Sequence, residues 1–147
     1  MSYFFLKGLS MRPFLLLTIL GSGLYAHESK ACNNGTIEGT YGYTVTGVRP
    51  AASAPGQLEQ LFAVGIREYD GQGNFTQVQT EKGALTPAPL IDVQKSGTYV
   101  VNPDCTGTAT IPGGGQARFV IVDNGKEIRW IVVSPTFVTI TGNAIRQ

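Results

Sequence analysis

The sequence has few charged side chains and almost no excess of one sign. Charged residues make up 14% of the 147 residues, with 11 basic against 10 acidic, whereas globular domains carry about a quarter. A formal charge of +1 offers no basic surplus to neutralise phosphates, so the composition excludes electrostatic capture of nucleic acid. Hydrophobic residues are an ordinary 42%, which is too many for a disordered chain.

The residue types that carry most catalytic and metal chemistry are nearly absent. His27 is the only histidine, so Ser-His-Asp and Cys-His catalysis and His-ligated metal sites are excluded. The glycine run at 112–115 lacks the lysine and the following helix of a phosphate-binding loop. The loop at 70–74 lacks the glutamate that completes a calcium loop. We therefore expect neither a metal nor a cofactor.

The apolar run near the amino terminus is too short for a membrane-spanning helix. It covers residues 13–20, whereas a span needs about 20 residues. Lys7 and Arg12 precede it and small residues follow, an order typical of a secretory signal peptide. Residues 1–26 are thus predicted to be a leader, cleaved after Ala26 or Ala31, and the mature protein to be secreted or periplasmic.

Without that leader the chain is a near-neutral domain of residues 27–147. Loss of Lys7 and Arg12 leaves nine basic against ten acidic residues, a net charge of −1. This length fits a single domain and leaves little room for a second core.

Cysteine is scarce as well, with Cys32 and Cys105 as the only pair. In an oxidising compartment an even number of cysteines predicts a disulfide. The alternatives are a pair of metal ligands or a reactive thiol, but the sequence has no third cysteine and no well-placed histidine to support either chemistry.

Strand patterns occupy nearly all of the mature chain. In residues 36–48, Ile37, Tyr41, Tyr43 and Val45 alternate with mostly polar residues, a period of two. Eight strands are predicted, at 36–48, 58–69, 75–81, 91–101, 106–111, 117–123, 127–134 and 136–145. They predict an all-β, antiparallel eight-stranded barrel, with a β-sandwich as the alternative. Such a barrel has room for side chains or for one small ligand.

The last hairpin has a predictable register. Asn124-Gly125 is a strong hairpin turn, and it sets Phe119 opposite Trp130 on the inner face. Val120 and Ile131 then lie on the outer face, where exposed apolar side chains suggest a covering partner, such as a second subunit.

Arg67 and Glu68 are consecutive charges in the second strand, so one of them points inward if the strand is regular. A turn that pairs Tyr69 with Phe75 puts Arg67 on the aromatic face and Glu68 on the face of Phe62. An inward charge in an apolar barrel is costly unless it is paired or used. A bulge that turns both charges outward is the alternative.

Aromatic residues and these two charges are the candidates for a ligand cavity. The aromatic rings either line a cavity or simply fill the core, and no catalytic residue stands out. The candidate lining set is Tyr41, Tyr43, Phe62, Arg67, Glu68, Tyr69, Phe119, Trp130 and Phe137.

Three segments, GTYGY at 39–43, YDGQGNF at 69–75 and GTYVVNPDCTGTAT at 97–110, resemble a group of small exported bacterial proteins of unassigned function. Their pattern is similar to the calycin-like barrel of allene oxide cyclase and the dirigent proteins. The resemblance covers roughly residues 32–110. It implies a barrel cavity for an apolar ligand and, in some relatives, cyclisation of a bound polyene or fatty-acid derivative. It carries over no catalytic residue.

Three functions from different classes are therefore open. The first is binding of a small apolar molecule inside the barrel. The second is a cofactor-free cyclase or isomerase, with Tyr41, Tyr43, Arg67 or Glu68 as its polar groups. The third is a solidly packed structural protein whose outer apolar face serves assembly into a homo-oligomer. Binding asks least of the residues and leads.

Overall fold

Eight antiparallel strands close into a barrel in the computed structural model, which describes residues 31–147. Each strand pairs with its neighbours in the sequence, and β1 closes the barrel by pairing with β8. The strands are β1 Gly39–Pro50, β2 Leu58–Tyr69, β3 Asn74–Gly83, β4 Leu90–Val101, β5 Thr106–Ile111, β6 Gly115–Val122, β7 Glu127–Ser134 and β8 Thr139–Arg146. The predicted barrel is confirmed, and the sandwich alternative is wrong.

The predicted registers hold in both hairpins. Tyr69 pairs with Phe75, and Phe119 pairs with Trp130. The predicted first strand begins too early, because Asn34–Ile37 form a 3₁₀ turn before β1. No helix within residues 31–147 is long and apolar enough to cross a membrane. The predicted leader lies outside the described residues.

The barrel has two different ends, which follow from its up-and-down order. The turns after β2, β4 and β6 share one end with the chain segment that precedes β1, and we call this the closed end. The loops 51–57, 84–89, 112–114 and 135–138 share the other end, which we call the mouth.

The segment at 32–37 is tied across the closed end. Asn34 accepts a hydrogen bond from the backbone N–H of Val101 at 2.8 Å, and its carbonyl accepts one from the Tyr99 hydroxyl at 3.1 Å. Arg146, at the end of β8, donates to the carbonyls of Glu38 at 2.6 Å and Thr36 at 3.0 Å. Ile37 is fully buried by this arrangement.

Cys32 and Cys105 form a disulfide across the same end, with 73 residues of sequence separation and Cα atoms 5.0 Å apart. The predicted pairing is confirmed. The Cys32 N–H also donates to the carbonyl of Pro103 at 3.1 Å. The bridge therefore fastens the start of the described chain to the turn between β4 and β5.

Three large aromatic side chains each lie opposite an inward glycine of the neighbouring strand. The pairs are Phe75–Gly97, Phe119–Gly107 and Trp130–Gly142. A Cβ at Gly142 would lie 2.4 Å from the Trp130 ring, and one at Gly107 would lie 2.2 Å from the Phe119 ring. The absence of a side chain at these glycines lets the rings approach the neighbouring strand closely.

Tyrosines fill the closed end around these rings. The Tyr69 ring centroid is 5.5 Å from that of Tyr41, 5.0 Å from that of Tyr99 and 5.8 Å from that of Phe75, with the two tyrosine contacts edge-to-face. Aromatic pairs of this kind add about 0.5–1.5 kcal/mol beyond the area that they bury. Aromatic rings in mutual contact are thus concentrated at the closed end.

Reduction of the disulfide is expected to destabilise the protein by about 3–4 kcal/mol, because the bridge closes a long loop of the unfolded chain. Urea unfolding with and without reductant measures the change. The double variant Cys32→Ser/Cys105→Ser is the control and should be insensitive to reductant. Alkylation of two thiols in the unreduced protein would contradict the bridge.

Candidate ligand cavity

The interior of the barrel contains a cavity of about 550 Å³ that opens at the mouth. This volume lies within the range of about 300–1,000 Å³ that small-molecule sites occupy. Apolar side chains from β1, β2, β5, β7 and β8 form much of its wall, namely Val45, Leu61, Ala63, Ile111, Trp130, Val132 and Ile140. A second cavity of about 60 Å³ lies next to Arg67 on the side of Phe119 and Ile128.

Loops form the rim of the mouth. The β5–β6 loop contributes Pro112–Gly114, and the neighbouring β7–β8 loop contributes Pro135, Phe137 and Val138. Phe137 lines the cavity although 61% of its surface is exposed. An exposed aromatic ring at the entrance presents an apolar contact to any molecule that enters.

Arg67 projects from β2 into the interior, between the closed end and the cavity, and only 7% of it is exposed. Its guanidinium carbon lies 4.5 Å from the ring centroid of Phe75 and 5.1 Å from those of Tyr43 and Trp130. Such contacts stabilise a cation electrostatically when water is excluded. The rings hold the charge but do not neutralise it.

Three polar side chains of β3 continue from Arg67 toward the mouth as a hydrogen-bonded row, which we call the β3 ladder. Arg67 Nε donates to Gln77 Oε1 at 2.8 Å, and Gln77 Nε2 donates to Gln79 Oε1 at 2.8 Å. Gln79 Nε2 then donates to Glu81. Every bond has the same direction, because a cation lies at one end and a carboxylate at the other.

Glu81 and Glu59 are buried acids held by basic neighbours near the mouth. Arg49 contacts both, at 3.0 Å from Glu59 and 2.9 Å from Glu81. Lys95 lies 3.0 Å from Glu81. Thr86 adds a hydroxyl donor to Glu59 at 3.1 Å. Buried carboxylates need such partners, since an unpaired charge in the interior costs several kcal/mol.

The ion pairs determine the protonation of both acids. Burial by itself would raise the pKa of Glu81, but hydrogen bonds and charges from Arg49 and Lys95 outweigh burial and lower it. The pKa of Glu59 is lowered in the same way, by Arg49, Thr86 and the Leu85 N–H acting against burial. Both side chains are therefore carboxylates at neutral pH.

Tyr43 is a neutral hydrogen-bond donor in the cavity wall. Burial raises its pKa to about 12, against the opposing effect of the Arg67 charge. Its hydroxyl donates to Gln79 Oε1 at 2.6 Å. At neutral pH the phenol is protonated, and its single proton is used in the hydrogen bond to Gln79 of the β3 ladder.

The structure brings most of the predicted cavity residues together, but at different depths. Tyr43, Arg67, Trp130 and Phe137 line the large cavity. Tyr69 and Phe119 lie beside the small one, and Tyr41 is buried in the closed end, where its hydroxyl bonds the Gly125 carbonyl.

Phe62 and Glu68 lie on the outer surface, and their predicted place in the cavity is wrong. The pairing of β2 with β1 and β3 is continuous through these residues, so side chains alternate strictly and Arg67 alone points inward. Phe62 is 56% exposed and lines an outer groove with Val64. The bulge alternative is therefore excluded.

Sequence reasoning missed the β3 ladder and the ion pairs around Arg49. A signal for the ladder was present: once Phe75 is paired with Tyr69 and faces inward, the period of two places Gln77, Gln79 and Glu81 inward as well. No comparable local signal links Arg49, Glu59 and Lys95, which come from three strands.

Comparison with known proteins assigns no family to this chain. No protein-family model and no curated protein matches the chain. Among solved structures it is similar to a redesigned β-barrel, with 18% identity and a TM-score of 0.44 over 78% of this chain and 94% of that one.

The residues 31–147 hold no group of three or more His, Cys, Asp or Glu side chains placed to bind a metal ion.

Replacement Glu81→Gln is expected to cost about 2 kcal/mol at pH 7, because it removes hydrogen bonds between a carboxylate and two cations. A lowered pKa in the folded state stabilises the protein above the unfolded value of 4.5 and loses that effect as pH falls through the folded pKa. The difference between variant and wild type should therefore shrink below about pH 4.5.

Urea unfolding between about pH 2.5 and 7 measures this difference. Glu68→Gln on the outer face is the matched control and should show a small difference at every pH. A cost of Glu81→Gln that stays constant over the range would contradict the role of the ion pairs.

Proposed function

We propose that this protein binds one small, largely apolar molecule inside its barrel, with the molecule entering through the mouth. The observation that carries the proposal is the cavity of about 550 Å³, which opens at one end and ends at the aromatic core. A solidly packed structural barrel would fill this space with side chains, as protein interiors do.

The state of the polar groups favours binding over catalysis. A general acid or base works best with a pKa near the operating pH and a free path to the substrate. The pKa of Tyr43 lies far above that range. The pKa values of Glu59 and Glu81 are lowered, and both carboxylates are paired with basic residues. These groups are therefore suited to holding the cavity wall in place and not to transferring protons.

The cyclase alternative is weakened because not all of its suggested polar groups face the cavity. Its suggested polar groups included Glu68, which lies on the outer face, whereas Tyr43 and Arg67 face the cavity. The resemblance to allene oxide cyclase and dirigent barrels rests on turn motifs, which the barrel accommodates without any shared chemistry. Binding without chemistry needs no further group.

An exported protein is consistent with this function. The Cys32–Cys105 bridge is of the kind that persists in oxidising compartments, and residues 1–26 have the pattern of a signal peptide. A carrier or scavenger of an apolar molecule outside the cytoplasm is the role that we propose.

Uptake of the uncharged fluorescent probe N-phenyl-1-naphthylamine tests the cavity. We expect wild type to bind it and Ala63→Phe to bind at least about tenfold more weakly, because the added ring occupies the space beside Val45. Val64→Phe, one residue away on the outer face, is the matched control. Val45→Phe replaces Ala63→Phe if circular dichroism shows that the latter is unfolded.

Two results would refute the proposal. One is the absence of probe uptake by folded wild-type protein. The other is probe binding that Val64→Phe weakens and Ala63→Phe does not, since that pattern places the probe in the outer groove lined by Phe62 and Val64.

A further inference from the structure

The charged side chains that face the interior do not balance. Arg49, Arg67 and Lys95 are cations, whereas Glu59 and Glu81 are the acids within this group. All three ion pairs of this group join the two acids to Arg49 and Lys95. One positive charge, that of Arg67, thus has no carboxylate partner among the described residues.

The hydrogen bonds of Arg67 leave part of its guanidinium free. The group has five N–H donors. Three are used, by Nε and Nη2 to Gln77 Oε1 and by Nη1 to the Tyr69 hydroxyl. One donor on Nη1 and one on Nη2 remain without a partner among the described residues, and Arg67 borders both cavities.

The β3 ladder fixes the position of Arg67 without neutralising it. Gln77 presents its amide oxygen to the guanidinium because its amide nitrogen donates onward to Gln79. Both acceptors in this contact, an amide and a phenol, are uncharged. Burying an arginine with only neutral partners is costly, and an anionic ligand that binds there would recover that cost.

We propose that the bound molecule is a monoanion, with one carboxylate at Arg67 and an apolar body extending toward the mouth. The inference rests on the proposed function, which it deepens by assigning the ligand's head group. A carboxylate matches two donors on adjacent nitrogens in a bidentate contact. A single negative charge balances the interior, whereas a phosphate dianion would leave an excess.

The apolar side of the cavity supports this orientation. Beyond Arg67 the wall toward the rim carries Leu61, Val132 and Ile140, and the rim itself carries Phe137. A carboxylate at the inner end would contact Arg67, and a hydrocarbon body would contact these apolar side chains. An uncharged apolar molecule would leave the Arg67 charge without a counterion.

Displacement of N-phenyl-1-naphthylamine by dodecanoate and by dodecanol at pH 8 tests the head group. For wild type we expect dodecanoate to displace the probe at concentrations at least about tenfold lower than dodecanol. In Arg67→Met this preference should fall to about one, with dodecanol displacement nearly unchanged. Arg118→Met, which removes an exposed arginine on the outer face, is the matched control and should keep the preference.

The outcomes separate this inference from the proposed function. Probe binding with equal displacement by acid and alcohol in wild type would overturn the carboxylate assignment and leave the apolar cavity standing. A preference for dodecanoate that survives Arg67→Met would also overturn it. Absence of probe binding in every folded variant would instead overturn the cavity itself. If Arg67→Met does not fold, Arg67→Gln takes its place, with the same expected loss of the preference for dodecanoate.

Discussion

Closure of the sheet is the constraint on which the rest of this structure depends. Once β1 pairs with β8, every second side chain of eight strands points into one enclosed volume. Polar side chains that face inward are largely shielded from bulk water, so they bond mainly to one another. The β3 ladder and the ion pairs of Arg49 are the result, and no buried side-chain nitrogen or oxygen among the described residues lacks a hydrogen-bond partner.

The core is uneven along the barrel axis. At the closed end, rings of Phe75, Phe119 and Trp130 lie over glycines of adjacent strands, and tyrosines fill the space between them. Toward the mouth the inward residues are smaller or are tied to the wall by ion pairs. The large cavity therefore forms on the mouth side of Arg67, and Arg67 lies between it and the aromatic core.

Much of the fold could be predicted from local patterns. Period-two alternation and turn residues give all eight strands, and the Asn124-Gly125 turn gives the Phe119–Trp130 register. The candidate site was predicted less well. Phe62 was placed inside because aromatic residues are usually buried, yet alternation from Arg67 puts it outside. Arg49, Glu59 and Lys95 were missed because their contacts join three strands.

The sequence by itself predicted the positions of the eight strands, the pairing of two scarce cysteines and, for a regular second strand, an inward Arg67 or Glu68, because these follow from local patterns along one chain. Only the tertiary structure decided that Arg67 is the inward charge, that the nearby acids pair with Arg49 and Lys95 and not with Arg67, and where space remains in the interior. Those properties depend on side chains from distant strands meeting within one closed volume, and no local pattern encodes that meeting.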